Sequence, residues 1–303
     1  MIKAIRVRKI TNRALDYAFV LPAVVYMCAF ILHPIFYNFV LSVNKIGMDF
    51  FMNRRYNFVG FSNYWSMFTR ADGLLPNALR NTLIFTIISI VLQVLISFSF
   101  ALFLSRKSRF SQISRGIIVI SYIIPHAVTG LVFKFIFTKD GGILNYLFMS
   151  MGILNEPIGW LLSSNTALAA IIVANVWINV PFSMLLFIAG FTTLDPTYSE
   201  AAMIDGAGWW RRLFSITIPA ISETIKVVLT LGLINTFKIF DLVLIMTNGG
   251  PGNTTEMLST FSYKLSFQLN RFDDSAVVSN VLFLILMLVG LFYIRTIRSE
   301  GDT

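Results

Sequence analysis

Long apolar runs alternate with short polar links along this chain. Six runs stand out: Tyr17–Val43, Thr82–Leu104, Gly116–Phe137, Ala167–Phe191, Ile225–Met246 and Val277–Ile294. Each is near the roughly 20 residues that a helix needs to cross a hydrocarbon layer. Lipid offers the backbone no hydrogen-bond partner, so a spanning segment must pair its own groups, as a helix does and an open strand does not. A β-barrel would show short segments of alternating polarity instead. The pattern predicts an all-α integral membrane protein with six transmembrane helices.

Composition agrees. The 303 residues are 56% hydrophobic and 13% charged, against about 25% charged in ordinary soluble domains. The mean hydropathy is +0.74. The net charge of +9 does not point to nucleic acid, because the cations stand between apolar runs as membrane flanks do. The single cysteine, Cys28, excludes an intrachain disulfide and a cysteine metal cluster, and reads as a small buried hydrophobe. The first run exceeds the roughly 7–15 residues of a signal-peptide core, and no small-residue cleavage site follows it, so it reads as a retained span.

Charge sets the orientation. Lys3, Arg6, Arg8, Lys9 and Arg13 precede the first run, Arg106, Lys107, Arg109 and Arg115 follow the second, and Arg295 and Arg298 follow the sixth. If spans alternate, these segments share one side, the cytoplasm: N-in, C-in. The loop after the first run also carries Lys45, Arg54, Arg55, Arg70 and Arg80, but charge in long loops weighs less. In that loop Phe58, Phe61, Tyr64, Trp65 and Phe68 read in two ways: as a short amphipathic helix on the membrane surface, or as ordinary packing on the bundle.

Several residues break the apolar texture. Pro34, Pro125 and Pro181 remove helix hydrogen bonds and should kink their spans. Gly130, Gly190 and Gly232 should let helices approach closely. Asn175 and Asn179 lie one turn apart on one face, with Trp177 and Phe182 beside them. Asn235, Lys238 and Asp241 recur every third residue, as a polar stripe in which Lys238 and Asp241 are spaced to pair. Polar groups at membrane depth face a wet path or glue helices together. A path of amides and ring faces suits a neutral, hydroxyl-rich solute; both readings stay open. His33 and His126 each adjoin a proline and, with no further ligands nearby in the sequence, read as structural.

No chemistry of the chain's own is legible. Gly252 in NGGPGNTTEML is followed by Asn253 and Thr254, not by the Lys-Ser/Thr pair that reaches phosphate and magnesium in a P-loop. No nucleophile-and-base pattern or zinc-protease motif occurs. The chain is expected to hold no cofactor, no metal and no catalytic residue.

The longest polar interruption, Leu194–Pro219, falls on the cytoplasmic side. Asp195-Pro196 is a helix start, the acid as cap and the proline at the first position. Good helix formers follow, then Gly206 and Gly208 redirect the chain. A second piece, Trp209 to Ile218, is expected to stop at Pro219. By itself this is either a docking knob or a bland amphipathic connector.

EAAMIDGAGWWRRLFSITIP resembles the signature loop of permease subunits of binding-protein-dependent ABC importers: Glu-Ala-Ala, three residues, Gly, nine residues, Ile, one residue, Leu, Pro. Glu200, Ala201, Ala202, Gly206, Ile216 and Pro219 match; Ile218 stands where the family often has Leu. LPAVVYMCAFILHP, NTLIFTIISIVLQVLISFSFALFLSR and FDLVLIMTNGGPGNTTEML are similar to the sugar-transporting, maltose and glycerol-phosphate branch. The resemblance implies a type I importer permease fold in a bacterial inner membrane: residues 1–76 as tail, first helix and outer loop, 77–295 as permease core with the coupling loop 194–219, and 296–303 as tail. It implies a second related permease subunit, two cytoplasmic ATPase subunits that use ATP and magnesium, an extracytoplasmic solute-binding protein and a carbohydrate substrate. The ATPases would press on Glu200, Ala201, Ala202, Met203, Asp205 and Gly206. The solute would pass Asn175, Asn179, Phe182, Gly232, Asn235, Thr236 and Ile239. The rivals are a polyamine, peptide or phosphodiester importer, and a non-transporting sensor subunit with the same docking loop.

Overall fold

The computed structural model describes residues 16–47, 56–105 and 108–301, with only the helix itself for 296–301. The basic N-terminal tail, Arg54, Arg55, Arg106, Lys107 and the side chain of Arg298 lie outside the described residues. The helices are α1 (Asp16–Ser42), α2 (Ser62–Thr69), α3 (Leu74–Leu104), α4 (Arg109–Ile123), α5 (His126–Ile136), α6 (Ile143–Ser150) and α7 (Ala167–Thr192). They continue with α8 (Pro196–Ile204), α9 (Trp209–Ala220), α10 (Ser222–Phe237), α11 (Asp241–Met246), α12 (Leu258–Tyr263) and α13 (Phe272–Gly301). A two-residue ladder, Asn44–Lys45 with Asn57–Phe58, ties the ends of the first outer loop.

Four helices, α1, α3, α7 and α13, are each long and apolar enough to cross a membrane, and the bent pairs α4–α5 and α9–α10 bring the number to six where each pair counts as one span. The fold is thus all-helical and multi-pass. The third and fifth spans are not the continuous helices expected from the apolar runs. Between α4 and α5 the chain turns by 99° at Ile124-Pro125, whose ψ angles of 128° and 140° are extended. The residue before proline avoids helical geometry, and that preference breaks the span here. In the fifth span α10 ends at Phe237, and a separate short helix begins at Asp241. The freed Ile239 carbonyl accepts the Ser259 hydroxyl, so the break costs no unpaired group there. The stripe Asn235–Lys238–Asp241 therefore does not exist as one helix face, and no ion pair joins Lys238 to Asp241 among the described residues.

Prolines elsewhere are absorbed. Pro181 sits inside α7 without interrupting it. Ahead of Pro34 and Pro219 the helix widens to π geometry, over Cys28–Leu32 and Leu213–Thr217. Widening by one residue relieves the clash of the proline ring with the carbonyl one turn back. Pro219 consequently does not stop the second cytoplasmic piece; the helix runs through it and bends at Ile221, by 69°.

The centre of the fold is α7, with 72% of its apolar window buried. It packs most extensively on α3. The inward face of α3 is Ala78, Thr82, Phe85, Thr86, Ser89, Gln93, Ser97 and Ala101, while Ile87, Val91 and Leu95 face outward. Small and polar in, apolar out, is the reverse of a soluble amphipathic helix, and it is what lipid selects, since small residues allow close helix contact. Close approach recurs at Gly190, where an added Cβ would lie 2.6 Å from Thr224 Oγ1, and at Gly130, 3.3 Å from Ile245. In α1, none of the apolar window is buried, and Cys28 is exposed on it rather than buried.

The outer side is stitched by polar contacts. Asn280 on α13 donates to Ser42 Oγ at 3.0 Å and to Tyr64 Oη at 2.9 Å, and accepts from Asn38 at 2.7 Å. Asp274, 4% exposed, takes Arg70 at 3.3 Å and Arg271. The helix α2 packs inward through Asn63 and Met67 and presents Trp65 outward, with Phe61 exposed just before it.

Candidate functional site

Two features stand apart from plain packing: an elbow between α7 and α10, and a polar seam inside the bundle. The elbow starts where expected. Asp195 caps α8, its carboxylate accepting the Thr197 amide at 2.9 Å and hydroxyl at 2.6 Å, and these bonds, the hydroxyl first, hold its acid below the usual carboxylate range. The other end closes on Gly206, whose φ is +78°. Gly206 N–H reaches Met203 O at 3.0 Å and Ala207 N–H reaches Ala202 O at 2.8 Å. These are the two bonds of a Schellman cap, which requires a left-handed residue at Gly206.

The capped helix carries Glu200, Ala201, Ala202, Met203 and then Asp205, and none of its residues is buried. Tyr198, Met203 and Ile204 are exposed. An apolar edge is thus left open on a nine-residue helix. The elbow is braced from behind by Arg212, which donates from Nη1 to Ser199 Oγ at 3.2 Å, and it encloses a cavity of about 300 Å³ against the ends of α3 and α7.

The seam runs along α3, α7 and α10. Gln93 Nε2 donates to Ser183 Oγ at 2.6 Å, and Gly232 lies against the same amide. Thr86 Oγ1, Ser89 Oγ, Gln93 Oε1, Thr129 Oγ1, Asn175 Nδ2 and Thr236 Oγ1 are buried and have no partner among the described residues. Such a row can donate to and accept from water or hydroxyl groups, and holding it unpaired in an apolar bundle is costly.

The structure splits the predicted pathway residues. Asn175 is fully buried, and Asn179 donates to its carbonyl at 2.8 Å and to its side-chain oxygen at 3.1 Å. Phe182 is half-buried and stacks on Tyr122 at 5.3 Å. Gly232, Thr236 and Ile239 face the interior, whereas Asn235 is exposed on the outside of the subunit. Gln93, Ser89, Thr86 and Ser183 escaped the sequence reading. Their signal was available: Thr86, Ser89 and Gln93 are polar residues at helical spacing in the second apolar run, and Ser183 stands one turn on from Asn179 in the fourth.

Apolar helices packed around the central span α7, with a capped, unburied helix at the elbow between α7 and α10, define a multi-pass membrane protein. The chain belongs to the family described as "Binding-protein-dependent transport system inner membrane component", whose profile matches residues 93–298. It is the permease subunit of an ABC importer, a multi-pass protein of the inner membrane. The probable ABC transporter permease protein YurN of Bacillus subtilis is 30% identical over 293 residues, covering 96% of this chain and 98% of that protein. The trehalose/maltose transport system permease protein MalF of Thermococcus litoralis is 26% identical over 294 residues, covering 97% of each. A crystal structure of a bacterial alginate ABC transporter, in complex with alginate pentasaccharide-bound periplasmic protein, contains a chain that superposes with a TM-score of 0.80 at 20% identity, covering 98% of both chains. That likeness establishes the type I importer fold.

Proposed function

We propose that this permease imports a carbohydrate, a mono- or oligosaccharide, and forms half of the pathway beside a second homologous permease subunit. Two cytoplasmic ATPase subunits bind ATP and magnesium and drive it; an extracytoplasmic solute-binding protein delivers the sugar. This chain contributes no cofactor, metal or ATPase site of its own. The observation that carries the reading is α8: a helix capped at both ends, with Tyr198, Met203 and Ile204 exposed. A neighbour that closes on ATP can move such an element, and the brace from Arg212 to Ser199 carries the movement toward α10.

The sugar assignment draws support from the trehalose/maltose and alginate systems named above and from the chemistry of the seam, where amides and hydroxyls rather than charges stand at membrane depth. Asn175, Asn179, Phe182, Gly232, Asn235, Thr236 and Ile239 are the proposed pathway residues of this subunit. Two measurements test the whole. Purified alone, the chain should hydrolyse no ATP, and robust hydrolysis would refute the division of labour. Cells lacking it should lose uptake of one labelled sugar from a panel; loss of a polyamine, peptide or phosphodiester instead would refute the substrate class.

A further inference from the structure

The segment between the docking helix and the fifth span has a face that neither coupling nor solute passage uses. On α9, Leu213 is buried against the bundle, while Trp209, Trp210 and Phe214 are exposed at 51%, 66% and 61%. They form one cluster. The two indole rings meet edge to face at 4.5 Å, and Trp210 stacks on Phe214 at 6.0 Å. Arg211 is exposed beside them and Arg212 is half-buried. Neither arginine has an ion pair among the described residues, and residues 206–222 contain no acid.

Orientation identifies the occupant. The axis of α9 bends by 69° from α10, which leaves it 90 − 69 = 21° from the perpendicular to that span. Spans stand on average about 20° from the bilayer normal. With such a tilt α9 stands about 50–90° from the bilayer normal, nearer the membrane plane than the normal, on the side where the elbow projects. Tryptophan favours that depth, with its ring among the acyl ends and its N–H among the headgroups. The exposed Arg211 guanidinium next to it matches phosphate, while Arg212 is turned to Ser199, and the cytoplasmic leaflet of a membrane carries the anionic lipids. An ATPase would find its apolar contact on α8, before the Gly206 turn; the aromatic cluster comes after it, at the root of a span.

We propose that Trp209–Ala220 is an interfacial anchor that grips anionic phospholipid headgroups of the inner leaflet through Arg211, with Trp209, Trp210 and Phe214 inserted beneath them. The anchor fixes one arm of the elbow to the membrane. A push on α8 then pivots about Gly206 instead of displacing the whole segment.

The test uses the full chain in vesicles of phosphatidylcholine with phosphatidylglycerol, bromine being carried near the headgroup on one lipid or the other. The chain has five tryptophans, so the signal of interest is the quenching lost in the W209F/W210F variant. That signal should favour brominated phosphatidylglycerol, by roughly fivefold at low salt. The preference should survive in R211K and fall to parity in R211Q, whose correct folding is read from unchanged quenching of the other tryptophans in the W209F/W210F background. Equal quenching by both lipids in the unmodified chain would overturn the proposal. So would the absence of any quenching at Trp209 and Trp210, which would assign the cluster to a protein neighbour.

Discussion

Gly206 is the residue on which the cytoplasmic elbow turns. An added Cβ there meets nothing within 4 Å, so the demand is purely conformational: a φ of +78° costs a side-chain-bearing residue on the order of 1–3 kcal/mol. Gly206→Val should unwind the cap and abolish uptake while the subunit still inserts and assembles, as read by membrane fractionation. Gly206→Asn should keep much of the uptake, because asparagine tolerates left-handed geometry. Uptake retained in the valine variant would remove Gly206 from coupling. Asn179 and Asn235 separate two other roles. Asn179 bonds only within its own helix and Asn235 is exposed, so neither glues spans within the subunit. Asn179→Ala and Asn235→Ala should each change the KM or rate of uptake severalfold with assembly unchanged. Normal transport kinetics in both would take them out of the pathway.

Among the elements, the contact of α7 with α10 is the tightest point the structure offers. Gly190→Ala would place a methyl group 2.6 Å from Thr224 Oγ1 and 3.0 Å from Thr224 Cγ2, and overpacking of this kind costs about 1–3 kcal/mol. The variant should melt earlier in detergent, and adding Thr224→Ala should restore part of the loss; no rescue would mean that the strain lies elsewhere. At this scale the sequence was legible in some respects and silent in others. The start of α8 at Asp195-Pro196 and its end near Gly206 were readable, because caps are local chemistry within a few residues. The run Ile225–Met246 was misread as one helix. No glycine or proline marks a break across residues 237–241, and the Ile239 carbonyl just beyond the end of α10 is taken by Ser259, 20 residues on. The right angle at Pro125 was foreseen only as a kink, since a proline marks where a helix yields but not by how much.

In the whole molecule, the outer clasp holds the first and last spans together. Asp274 joins Arg70 from the first outer loop and Arg271 at the start of α13. Asp274→Asn should lower stability by about 1–2 kcal/mol, the range for a hydrogen bond to a charged group whose partners are partly solvated, seen as an earlier melt in detergent. An unchanged melt would make the clasp ornamental. A chain whose first span buries none of its apolar window leaves much apolar surface to lipid and neighbours, in keeping with a subunit rather than a whole transporter.

The sequence alone determined that this is a multi-pass helical membrane protein with a capped polar helix between its fourth and fifth apolar runs, because span length, flanking charge and helix caps depend on neighbours within one run; the resemblance of its Glu200–Pro219 loop pointed to the permease family. The tertiary structure alone decided which polar residues share a seam. Gln93 meets Ser183 and Gly232 across three helices, and Asn235 turns outward while Thr236 turns in. Those outcomes depend on helix rotation and on where α10 breaks, and both are set by contacts distant in sequence.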